Sequence, residues 1–237
     1  MPEHWAALFM DTEDVSTAVL FKLWPWLEAN KNRLIGGGLV ILVVAIIYSF
    51  MTWQHGQNEI AAGEAFTQLL FAQAGGTAPG QEADAFLAMA SKYPGTEAAQ
   101  RAQMQAAGVL FEAGNFPEAV VQFQKFADNH TGPLAATATL GLAASLEAQG
   151  KLDDAAAAYQ KLTSSHVNPA AYLQAQFSLG RLAERNGKLA EAESYYETAA
   201  EPGRSGGTIS EEAQGRAYEI KMKLSATQKP ATNSFLK

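Results

Sequence analysis

The chain has 237 residues, a net charge of −7 and no cysteine. The acidic balance excludes the dense basic surface that nucleic acid or an anionic lipid surface requires. The missing thiols exclude disulfides, thiolate metal sites and cysteine nucleophiles, so any exported part has to fold on packing alone.

In chain order, Thr12 is placed to cap a short helix with Glu13 and Asp14 in its first turn, where carboxylates suit the positive end of the helix dipole. Val15, Val19 and Leu23 recur at helical spacing, and Pro25 is expected to end the helix. With Trp24, Trp26 and Leu27 this segment reads as a helix at the cytoplasmic headgroup level, inside a leader over residues 1–33.

Leu34 to Trp53 then reads LIGGGLVILVVAIIYSFMTW, without one charge. At about 1.5 Å per residue such a helix spans about 30 Å, the thickness of a bilayer's hydrocarbon core. A signal peptide has a shorter apolar stretch close to the first residue, and a soluble core helix apolar on every face needs a larger protein around it. The expectation is a transmembrane helix over 34–53. Lys22, Lys31 and Arg33 precede it and the next basic residue is Lys92, so the positive-inside rule places the N-terminus in the cytoplasm. Residues 54–237 then lie in the periplasm of a Gram-negative host, held by a single pass through the inner (cytoplasmic) membrane. Gly36, Gly37 and Gly38 allow close helix packing but lack the G-x-x-x-G spacing.

Beyond the apolar stretch alanine dominates, and apolar residues recur every three or four positions between short Gly-, Asn- or Pro-containing breaks. The pattern predicts an all-α domain over 54–226, with antiparallel paired helices at 56–74, 81–92, 97–113, 117–129, 133–149, 153–164, 169–186, 189–200 and 208–226, and a tail over 227–237. Three turns align: AGNFPEAVVQFQKF at 113–126, QGKLDDAAAAYQKL at 149–162 and NGKLAEAESYYETA at 186–199. Each carries a glycine (Gly114, Gly150, Gly187), five residues later an alanine (Ala119, Ala155, Ala192), and four later an aromatic (Phe123, Tyr159, Tyr196). The glycine permits the turn, the alanine lets two helices approach, and the aromatic fills the space between neighbours. Phe116, Leu152 and Leu189, two places after each glycine, close the turn.

This register resembles the tetratricopeptide repeat, with Leu142, Leu179 and Gly180 at the first-helix leucine and glycine positions. Ala106 and Ala107 replace that pair in the first clear unit, and the glycine spacing exceeds the family's repeat length of about 34 residues. Gly80, Ala85 and Met89 mark a degenerate earlier unit, followed by the turn Tyr93-Pro94-Gly95-Thr96. Asn168-Pro169 starts a helix with a cap and a first-position proline. Ala213, Ala217, Ile220 and Leu224 form the apolar face of a closing helix.

The chain shows no phosphate loop, dinucleotide fingerprint or metalloprotease motif, and no catalytic residue, metal site or cofactor is expected. His130 and His166 follow second helices, where a donor near a C-terminus is favourable; Asp153-Asp154 and Glu211-Glu212 read as first-turn acids. The repeat resemblance instead places inward-facing residues at Arg101, Met104 and Glu112 in the first unit, Glu147 in the second, and Gln174, Phe177, Arg181, Glu184 and Arg185 in the third. Arginine, glutamine and an aromatic suit a peptide or protein partner; the alternative is a solvated face of local Arg–Glu pairs.

The whole layout resembles the YfgM family, ancillary subunits of the SecYEG translocon, most closely in WLEANKNRLIGGGLVILVVAIIYSF and QNEIAAGEAFTQLL. That resemblance covers residues 15–226. It implies a membrane-anchored, noncatalytic scaffold beside the Sec translocon that engages a periplasmic chaperone or exported polypeptides. The alternative function is an accessory structural subunit of another membrane protein complex.

Overall fold

The structure, a computed structural model, describes residues 12–74, 78–164, 167–200 and 207–228, with side chains from Leu23 onward. His166, most of the expected tail and the leader residues before Thr12 lie outside the described residues. The chain divides into two units, Met1–Asn58 and Glu59–Lys237. The described residues form α1 (Thr12–Ala74), α2 (Pro79–Lys92), α3 (Glu97–Glu112), α4 (Phe116–Asn129), α5 (Pro133–Ala148), α6 (Leu152–Thr163), α7 (Pro169–Arg185), α8 (Leu189–Ala199) and α9 (Thr208–Gln228).

Two expectations about α1 are corrected. Pro25 does not end a helix; it lies inside α1, which also continues without a break into the helix expected to begin at 56. A proline removes one hydrogen bond and crowds the carbonyl four residues back, at a cost of about 3 kcal/mol. It does not prevent the residues on either side from completing their own bonds. Gln54-His55-Gly56 likewise contains no residue that forbids helix. Within the first unit, the apolar side chains from Leu34 to Trp53 are exposed, Ile41 by 71% and Tyr48 by 70%. The helix is long and apolar enough to cross a membrane.

In the second unit, consecutive helices contact each other, and α3, α5, α7 and α9 also touch in succession. That is the connectivity of a helical solenoid, in which first helices line one side and second helices the other. Each turn after a first helix is built alike. Gly114, Gly150 and Gly187 have φ of 76°, 77° and 72°, a region where a side chain is strained. The amide of the residue after each glycine reaches back five residues: Asn115 donates to Leu110 O at 2.9 Å, Lys151 to Leu146 O at 3.0 Å and Lys188 to Ala183 O at 2.9 Å. The glycine amide closes the inner bond of the same Schellman cap, to Phe111, Glu147 and Glu184 O.

Burial follows the aligned register. Ala119, Ala155 and Ala192 are fully buried, and Phe123, Tyr159 and Tyr196 are buried beside them. Two helix starts carry side-chain caps: Asn168 Oδ1 accepts from Ala171 N at 3.1 Å ahead of Pro169, as expected, and the Thr96 hydroxyl, at the end of the expected turn, accepts from Ala99 N at 3.1 Å. Glu59 adds a contact that local sequence does not announce. Its carboxylate accepts from the Glu97 amide at 3.1 and 3.2 Å, placing negative charge at the positive end of α3. Phe66 of α1 lies 5.8 Å from Phe86, so residues after Glu59 pair with α2 as the degenerate first unit. At the other end Ala213, Ala217 and Ile220 of α9 are buried against Ala192, Tyr196 and Ala199, closing the last apolar face.

Candidate partner-binding groove

The first helices of three successive units, α3, α5 and α7, line an open groove of about 700 Å³. A first helix shows the groove one stripe at helical spacing, so the lining is periodic. From α3 come Met104, Gly108 and Phe111; from α5 Thr137, Leu140, Gly141, Ala144, Glu147 and Ala148; from α7 Gln174, Ser178, Arg181 and Arg185. Phe123 and Tyr159 reach the groove from second helices. The floor is apolar toward α3 and α5, and polar toward α7.

A hydrogen-bonded chain organises the polar end. The Tyr159 hydroxyl donates to Glu147 Oε2 at 3.0 Å, and the Arg181 guanidinium pairs with Glu147 Oε1 across units. Ser178 lines the groove with Tyr159. Burial, first, and the adjacent Glu147 charge push the Tyr159 phenol up to about 12, against the opposing effects of Ser178 and Arg181. Tyr196 is raised too, by burial and then by Glu184, to which its hydroxyl donates at 3.2 Å. Both phenols are therefore neutral in folded and unfolded chains below pH about 10, the ordinary tyrosine value. Above it the unfolded chain releases protons that the fold retains, so stability must fall as pH rises toward 12. Urea unfolding of the full chain in detergent should show a midpoint that declines over this range. The Tyr159→Phe, Tyr196→Phe double variant should lose much of that decline; an unchanged pH slope in it refutes the assignment.

The residues expected to face inward separate into two sets. Met104, Glu147, Gln174, Arg181 and Arg185 do line one groove. Arg101 stands outside, exposed and 3.4 Å from Glu97 on its own helix, and Glu112 is exposed at the end of α3. Phe177 is corrected as an anchor for a partner: it is 7% exposed, with its ring 5.4 Å from Tyr196, in the cluster that α9 completes. Glu184 turns the same way, toward Tyr196 and, at 3.7 Å, Lys223 Nζ. On α7 the side adjoining α8 and α9 and the side adjoining α5 lie within one turn of each other, so spacing alone merges them.

Sequence reasoning did not find Phe111, Phe123, Leu140 or Gly141 in the floor. The available signal was the period of α5, where Thr137, Leu140, Gly141, Ala144, Glu147 and Ala148 form one stripe. His130, as read, closes a helix: Nδ1 lies 3.0 Å from Phe126 O and the ring stacks on Phe126 at 4.1 Å. Asp153 and Asp154 occupy the first turn of α6. Among the described residues no group of His, Asp or Glu is arranged to hold a metal ion.

A search of curated proteins gives no match. Among solved structures, the chain is similar to a tetratricopeptide repeat protein from Parabacteroides merdae, at 17% identity and a TM-score of 0.51 over 72% of this chain and 67% of that one. It also matches a putative kinesin light chain from Podosopora anserina with nearly identical TPR-like repeats, at 15% identity and a TM-score of 0.44, covering 73% of this chain and 96% of that one. The family model of the tetratricopeptide repeat-like domain matches residues 25–229. With the repeated glycine caps, the groove of first helices and a match of that extent, the chain belongs to the tetratricopeptide repeat-like domain family, an all-α solenoid of the noncatalytic, protein-interaction kind.

Proposed function

We propose that this protein is a membrane-anchored scaffold, an accessory subunit beside the Sec translocon whose repeat array engages periplasmic chaperones or exported polypeptides. The observation that carries the proposal is the exposed apolar surface from Leu34 to Trp53, with Val40 61%, Ile41 71% and Ile47 52% exposed. A continuous apolar surface of this size is stable in hydrocarbon rather than in water. Lys22, Lys31 and Arg33 on its N-terminal side then orient the anchor with the array outside the cytoplasm. The resemblance to translocon ancillary subunits supplies the partner, and the groove supplies a surface to meet it. In this reading the domains are a cytoplasmic leader over 1–33, the span over 34–53, the array over 54–226 and a tail over 227–237.

Photo-crosslinkers placed at Gln174 and Arg185 in living cells test the proposal directly. Translocon or periplasmic chaperone subunits should be captured, and protease added to intact spheroplasts should digest the array. Protection of the array reverses the topology and overturns the proposal. A stoichiometric complex without translocon subunits, purified in mild detergent, replaces it with the alternative of an accessory subunit elsewhere.

A further inference from the structure

The groove has a charge sign opposite to that of the whole chain. Its lining holds one carboxylate, Glu147, and two guanidiniums, Arg181 and Arg185. Both Glu147 oxygens are engaged, Oε2 by the Tyr159 hydroxyl and Oε1 by Arg181. Among the described residues Arg185 makes no ion pair, and its side chain is exposed at the groove edge. The one carboxylate of the groove is thus already paired while one cation remains. Toward α3 and α5 the floor is apolar, with Met104, Phe111 and Leu140 around the small residues Gly108 and Gly141.

We infer that the groove selects a polypeptide segment presenting a large apolar side chain and, about three residues away, a carboxylate that Arg185 takes. The spacing follows from the scaffold for the apolar floor at Leu140: α5 packs against α7, packed helices lie roughly 8–10 Å apart, and an extended chain advances about 3.3 Å per residue. Arginine and carboxylate form a charge-assisted, planar pair, whereas a lysine at the same point on the partner meets two cations and no unpaired carboxylate. This inference rests on the proposal that the groove takes a partner, and it adds the chemistry of that partner.

Fluorescent synthetic peptides carrying a Leu or Phe and, three positions away in either direction, Glu, Gln or Lys can be titrated against the full chain in detergent. The Glu series should bind about tenfold tighter than the Gln series at low salt, with the preference shrinking at high salt, and the Lys series weakest. Arg185→Gln should erase the Glu preference and leave binding of the Gln series unchanged. Gly108→Leu should abolish binding of every series, because Gly108 lines the groove and a Cβ there has nothing within 4 Å, so the added side chain occupies the groove. Equal binding of Glu and Gln peptides that Gly108→Leu still abolishes overturns the carboxylate selection and leaves the groove as the partner site. Absence of binding by all series, together with no crosslinks from Gln174, overturns both.

Discussion

Replacing Tyr196 with alanine should destabilise the array by about 3–5 kcal/mol, the range for deleting a large buried aromatic. Tyr196 is fully buried and is the largest such side chain among the described residues. Its ring lies against Phe177 at 5.4 Å and so close to Gly180 that a Cβ there would meet Tyr196 Cε1 at 2.7 Å. No neighbour can collapse into the vacated volume without moving α7, α8 or α9, because the cluster joins all three helices. Tyr196→Phe isolates the hydroxyl and should cost only about 1 kcal/mol, since Glu184 keeps Lys223 at 3.7 Å. In a solenoid the interface term is shared between neighbouring units, so the alanine variant should release α9 first. Urea unfolding by circular dichroism measures the total, and limited proteolysis reports the order. An alanine variant within 1 kcal/mol of the native chain, or one in which cleavage begins between α3 and α4, contradicts this account.

Tyr196 also shows how much of the fold was legible in sequence. The glycine, alanine and aromatic of each aligned turn predicted a tight turn, a close helix approach and a filled interhelical space, and all three units show a glycine at positive φ, a fully buried alanine and a buried aromatic. Such features are local, since each residue type is nearly dictated by one backbone or one packing demand. Legibility failed where a residue's role depends on a partner distant in sequence. Phe123 covers Gly141, whereas its counterpart Tyr159 shares the groove lining with Ser178, the residue at the matching position one repeat later, and bonds Glu147. Gly141, Ser178 and, in the first unit, Gln105 share a register position but no chemistry, so the alignment of turns gave no hint of the groove floor. Glu147 and Glu184 accept from the tyrosine twelve residues ahead, while Phe111 stands at the same place in the first unit, where Phe123 has no hydroxyl. The polar end of the groove is therefore confined to the later units. Phe177 failed for a related reason: helical spacing put it beside Arg181, and only the position of α9 decides that its ring is covered.

Gly141→Leu should cost about 3 kcal/mol, at the upper end for overpacking, and should close the groove at the same time. A Cβ at Gly141 would lie 2.5 Å from Phe123 Cζ, 2.6 Å from Cε1 and 2.8 Å from Cε2, distances that real side chains do not adopt. The Phe123 ring must then swing into the groove, or α4 and α5 must separate, and α5 carries more of the groove lining than any other helix. The two outcomes are distinguishable. If the clash is the cause, Phe123→Ala in the Gly141→Leu background should recover stability relative to the sum of the single changes, with a coupling energy of about 1 kcal/mol or more. Additive single effects would place the cost in the backbone of α5 instead. Gly108→Leu supplies the contrast, since it adds the same volume to the same groove where nothing lies within 4 Å of the new Cβ. It should leave the unfolding midpoint unchanged or slightly raised, because leucine is the better helix former. Loss of partner binding in Gly108→Leu without loss of stability, beside loss of both in Gly141→Leu, would separate occupation of the groove from integrity of the array. That separation matters because Gly141 serves both: the bare backbone that lets Phe123 seal the joint between two units is also the floor on which a partner's side chain would rest.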